Sequence, residues 1–128
     1  MRAVDTNVLV RFFERDDPQR TAAADAIMLG SEAIFASSIV LCELGWVLRA
    51  VYGRRRDEIA KVMRALLEVE TLHLDRDAVV NGLALLEAGA DFSDGVILHE
   101  CRRAKCESVA TFDRRFAKHG APEVILVS

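Results

Sequence analysis

Apolar residues recur at helical spacing along most of the chain, and short β-branched or aromatic runs separate those stretches. Residues 2–4 form a brief apolar-leaning segment, after which Asp5-Thr6-Asn7 supplies turn and capping chemistry. The pattern predicts a helix over 8–13, a break at Asp16-Asp17-Pro18, and an alanine-rich helix over 21–29 ended by Gly30. Residues 33–36 fit a short strand. Ser37-Ser38 then fit the cap of a helix running to Tyr52, which Gly53 ends. Asp57 opens a helix through about residue 69, with Ile59, Val62, Met63, Leu66 and Leu67 at helical spacing. A strand over 71–74, a helix from residue 75 or 76 to Leu86 with Gly89 beyond it, and a helix over 93–104 follow. Strands over 108–112 and 123–127 complete the pattern.

Short strands alternating with helices predict an α/β fold with a mainly parallel sheet. No linker, repeat or low-complexity segment interrupts the chain, so a single domain over residues 1–128 is expected, long enough to bury a core without disulfides. Hydrophobic residues at 52% and charged residues at 29% give a globular composition rather than a disordered one. No secretory signal is expected, since Asp5 arrives before an apolar run develops, and no membrane span, since Glu43 breaks the apolar stretch from Ile39. Cys42, Cys101 and Cys106 show no metal-type spacing and leave an odd thiol, which suits a reducing cytoplasm.

The net charge of −3 does not advertise nucleic-acid binding. Three local clusters, Arg54-Arg55-Arg56, Arg102/Arg103/Lys105 and Arg114/Arg115/Lys118, read as solvated faces unless they flank a site that needs phosphate.

Four acids stand out by their neighbours. Asp5 and Asp113 each follow a predicted strand, where open parallel sheets place their functional crevice; each alone fits helix capping as well as chemistry. Glu43 has Ile39, Val40, Trp46 and Val47 three and four positions away, so a carboxylate on that face calls for a cation or a salt bridge. Asp94 continues into Ile97, Leu98 and Cys101 and is expected to look inward, while Asp91 caps the helix and leaves Asp94 free. Clustered carboxylates repel unless a divalent ion joins them, and oxygen-only donors favour Mg²⁺ or Mn²⁺ over zinc. His73 in a strand, His99 in a helix and His119 in a turn have no ligand spacing and read as packing or surface residues.

The segments V-D-T-N-V-L, S-S-I-V-L-C-E-L, D-F-S-D-G-V-I-L and T-F-D-R-R-F, in this order and on these elements, resemble PIN-domain nucleases. Within that family they are similar to VapC-type toxins of bacterial toxin–antitoxin pairs. The resemblance implies a PIN-like three-layer α/β/α domain with a central parallel sheet. It also implies an acidic pocket formed by Asp5, Glu43, Asp94 and Asp113. Asp5, Asp94 and Asp113 carry over as metal ligands, Glu43 as a residue acting through water, and Thr6, Asn7 and Thr111 as polar positions that orient the carboxylates. Asp91 is expected to support the pocket through its cap.

The implied activity is Mg²⁺-dependent cleavage of RNA by activated water, leaving 5′-phosphate and 3′-OH ends. The implied partners are an RNA substrate, a cognate antitoxin and a second copy in a homodimer. Trp46, Phe12 and Phe13 fit either protein contact, although most of them read more simply as core. Gly95 stands where a small non-glycine residue is more usual and is expected to loosen the helix start slightly.

A haloacid-dehalogenase-type phosphatase also opens with an aspartate after its first strand, but wants a second acid where Asn7 stands. A non-catalytic RNA- or protein-binding module on the same fold is the alternative from a different class; the complete acid set argues against it.

Overall fold

The computed structural model describes Met1–Ser128 as two compact units, Met1–Asp75 and Arg76–Ser128. The first unit runs β1 (Arg2–Ala3), α1 (Thr6–Glu14), α2 (Pro18–Met28), β2 (Ile34–Phe35), α3 (Ser38–Ala50), α4 (Arg56–Leu67) and β3 (Leu72–His73). Its strands pair in the order β1-β2-β3, all parallel, with Arg2 opposite Ile34 and Ile34 opposite Leu72. Parallel neighbours need long crossovers, and here two helices fill each one. Leu9, Met28, Ile34, Leu41, Leu44, Leu48, Met63 and Leu66 are almost wholly buried and make this unit's core.

Local chemistry sets the helix limits. Asp17 caps α2 by accepting the Arg20 N–H at 3.1 Å, with Pro18 in the first turn where its missing N–H costs nothing. Ser37 Oγ accepts the Val40 N–H at 3.2 Å and starts α3, as its sequence suggested. Arg15 ends α1 in the left-handed region at φ 56°, and a two-pronged pair to Asp25 at 2.8 and 2.7 Å ties it to α2. Arg54 reaches back to the Glu14 carboxylate, with Nε at 2.8 Å from Oε1. Helix α4 begins one residue earlier than expected, at Arg56, because Glu58 accepts the Arg55 N–H at 2.9 Å.

The second unit runs α5 (Arg76–Ala88), α6 (Phe92–Arg103), β4 (Val109–Thr111), α7 (Arg114–His119) and β5 (Val124–Leu126). Strands β4 and β5 pair in parallel, Val109 opposite Val124 and Thr111 opposite Leu126, with α7 in the crossover. Leu85, Ala90, Leu98, Phe116 and Val124 form a buried cluster. Helix α7 did not stand out in the sequence pattern, and His119 is its last residue rather than part of a turn.

The α5–α6 contact corrects the reading of Gly95. A Cβ at this position would lie 2.1 Å from the Asn81 carbonyl oxygen and 2.6 Å from the Gly82 Cα. Gly95 therefore lets two helix backbones touch. The close approach of α5, rather than the helix start alone, accounts for glycine at this position.

The α/β class and the parallel pairing are as expected, with every observed pairing parallel. No helix is long and apolar enough to cross a membrane.

Candidate functional site

In the first unit, Asp5 follows β1 and is the N-cap of α1. Its Oδ1 accepts the Val8 N–H at 3.4 Å, and Oδ2 takes no part in the cap. The carboxylate is exposed, with Thr6 half-buried and Asn7 exposed beside it. Helices α1 and α3 leave the carboxyl ends of adjacent parallel strands and pack together, so their first turns share one edge of the sheet.

Glu43 is exposed on α3, contrary to the buried setting its apolar neighbours suggested. The helix turns Leu41, Leu44, Gly45 and Leu48 into the core, which leaves Ile39 at 73% and Trp46 at 60% exposure on the side that carries Glu43. No desolvation penalty then demands a partner for Glu43. Trp46 is likewise not a core residue, whereas Phe12 and Phe13 are half-buried and meet edge to face at 5.1 Å.

In the second unit, Asp94 is the third residue of α6, and its Oδ2 accepts the Asp91 N–H at 3.0 Å. Asp91 and Asp94 form a reciprocal capping box. Asp94 is thus engaged in the cap rather than freed by Asp91. It lies half-buried at the margin of the helix's buried face, which consists of Phe92, Gly95, Val96, Leu98 and His99.

Asp113 follows β4 and caps α7. Its Oδ1 accepts N–H bonds from Arg115 at 2.8 Å and Phe116 at 3.1 Å, while its own N–H donates to Thr111 Oγ1 at 3.0 Å. Oδ2 takes no part in the cap. The structure thus joins Asp91 to Asp94 and Thr111 to Asp113 through direct hydrogen bonds. In neither unit do three or more His, Cys, Asp or Glu side chains gather as a metal-binding group.

Capping and ligation are compatible at these positions. One carboxylate oxygen bonded to the helix end holds the side chain in place, and a hard divalent cation needs only oxygen donors from it. Carboxylate oxygens, which are what Asp5, Asp94 and Asp113 each offer, favour Mg²⁺ or Mn²⁺ over zinc, which more often takes His and Cys.

The structure separates the three basic clusters, which sequence alone left equal. Arg54 pairs with Glu14 and Glu58, and Arg55 with Asp57 and Glu58. Arg102 grips Glu123 with Nε at 2.9 Å from Oε2, and also donates to Asn81 Oδ1 at 3.2 Å. Arg114, Arg115 and Lys118 on α7 are exposed and enter no salt bridge, directly after Asp113.

A family model described as PIN domain matches residues 2–122. No curated protein matches the chain. Four quoted segments, the α/β class and the parallel strands agree with that match, which covers nearly the whole chain and brings a nuclease fold with it. The chain belongs to the PIN domain family.

Proposed function

We propose that residues 1–128 act as one catalytic domain, a Mg²⁺-dependent endoribonuclease (Mn²⁺ serving as well) that is the toxin of a toxin–antitoxin pair. The observation that carries this reading is the state of Asp5 and Asp113. Each lies two residues beyond a parallel strand, caps the next helix through Oδ1 alone, and keeps Oδ2 out of the cap. Asp5, Asp94 and Asp113 would hold the ion. When bound, the ion supplies positive charge to the scissile phosphate and acidifies water.

The chain's own residues do the remaining work. Glu43, exposed on α3, or Asp113 orients the attacking water or carries its proton. Thr111 and Asp91 fix Asp113 and Asp94 through the bonds above; Thr6 and Asn7 play the same supporting part for Asp5. The cations of α7 hold the RNA backbone beside Asp113. Attack by water leaves 5′-phosphate and 3′-OH ends.

The toxin role carries a cognate antitoxin, a homodimer and a cytoplasmic setting with it. Exposed Ile39 and Trp46 support a protein contact on α3. The test is end-group analysis of RNA cut by the purified chain. Fragments ending in 5′-phosphate support water attack; 2′,3′-cyclic phosphate ends contradict it. No cleavage of several RNAs by antitoxin-free protein points to a binding module instead.

A further inference from the structure

We infer that Cys101 and Cys106 form a dithiol that closes into an intramolecular disulfide at the end of α6. The backbone supplies the reason. The Cys106 N–H donates to the Cys101 carbonyl at 2.9 Å, the Lys105 N–H donates to the Arg102 carbonyl at 3.0 Å, and Lys105 sits at φ 62°. These two bonds around a left-handed residue are the Schellman closure of a helix. In that closure the third residue from the helix end and the second beyond the cap bring their side chains together, ordinarily as an apolar contact. Here both positions are cysteine.

The thiols are free, Cys101 half-buried and Cys106 exposed. Burial pushes the Cys101 thiol up first, and the neighbouring Cys106 sulfur adds to the shift, which agrees with two side chains in contact. Cys106, the accessible one, is the entry point. Its thiolate attacks a small-molecule disulfide, forming a mixed disulfide and releasing one thiol. The Cys101 thiolate then attacks the Cys106 sulfur and releases the second. Two protein thiols are oxidised by two electrons, one small disulfide is reduced to two thiols, and the two thiol protons pass to the departing sulfurs.

A loop this short constrains the unfolded chain little, so the bond acts as a reversible modification rather than a structural staple. The inference does not rest on the nuclease reading.

The full chain incubated with oxidised glutathione, then alkylated, digested and weighed, tests it. Titratable thiols are expected to fall from three to one. The peptide joining Cys101 to Cys106 should be lighter by two hydrogens, Cys42 should be alkylated, and dithiothreitol should restore all three. Cys106→Ser should give no internal link. Glutathione held on Cys106 with Cys101 still alkylated, a link between two chains, or three alkylated thiols would overturn the inference. A trivalent arsenical, which needs two adjacent thiols, provides a second readout: it should bind the native chain once and Cys106→Ser not at all.

Discussion

Gly95 on α6 lies against the backbone of Asn81 on α5, so closely that a methyl group at position 95 would fall 2.1 Å from the Asn81 carbonyl oxygen. Two effects of Gly95→Ala oppose each other. Helix propensity favours alanine by up to about 1 kcal/mol. Overpacking a tight contact costs about 1–3 kcal/mol, and a backbone carbonyl inside a helix has no rotamer with which to yield. The cost wins. Gly95→Ala is expected to lower the denaturation midpoint, read by circular dichroism; an unchanged or raised midpoint would show that the helices separate easily.

Asp113 caps α7 and, in the proposed function, also holds the metal, and different substitutions separate the two jobs. Asparagine caps a helix about as well as aspartate, whereas alanine loses about 1 kcal/mol at such a position. Asp113→Asn should therefore keep the native melting temperature and lose RNA cleavage at least tenfold, while Asp113→Ala loses both. Full cleavage by a folded Asp113→Asn chain would confine Asp113 to capping.

In the proposed function the cations of α7 act on phosphate through charge. Arg115→Gln is expected to weaken RNA binding across sequences and to reduce the slope of log affinity against log salt by about 0.7, the value for one phosphate contact on a single strand. Arg55→Gln, whose parent side chain already pairs with Asp57 and Glu58, should change that slope less. Equal effects from the two would remove the distinction between the clusters.

Acid should destabilise the chain through its surface pairs. Hydrogen bonds from Arg11, Arg15, Arg55 and Arg102 hold Asp16, Asp25, Asp57 and Glu123 below their ordinary values. A lowered native pKa means that the unfolded chain binds more protons in acid. The stability from these pairs is complete above the ordinary values of 3.8 for aspartate and 4.5 for glutamate, and is lost as pH falls through the lowered ones. Urea midpoints should be level from pH 7 to about 5 and fall below that, with a shallower fall in Arg102→Gln. The same acid slope in both proteins would exclude the Arg102–Glu123 pair as a contributor.

Much of the fold was legible because turn and capping residues punctuate it. Asp17-Pro18, Ser37, Gly53 and Gly89 sit where their chemistry places them, and the β-branched runs became strands. Helix α7 was obscure because six residues with a single buried side chain, Phe116, show no period. Glu43 misled for a different reason. Helix α3 is apolar almost all round, so spacing could not choose between the face with Leu41, Leu44 and Leu48 and the face with Ile39 and Trp46; packing chose the former. Gly95 could not be understood locally, since its reason lies on another helix. Which arginines keep their charge available was equally invisible, because Glu14 and Glu123 are far in sequence from Arg54 and Arg102.

The central claim is that carboxylates of this chain hold a metal that cuts RNA. Its most direct test is cleavage of a mixed RNA pool by the purified protein in Mg²⁺, in chelator, and with Asp5→Asn shown to be folded. Cutting in Mg²⁺ that stops with chelator and is lost in the variant is the predicted result. Cutting that persists in chelator, or that survives undiminished in Asp5→Asn, would contradict it.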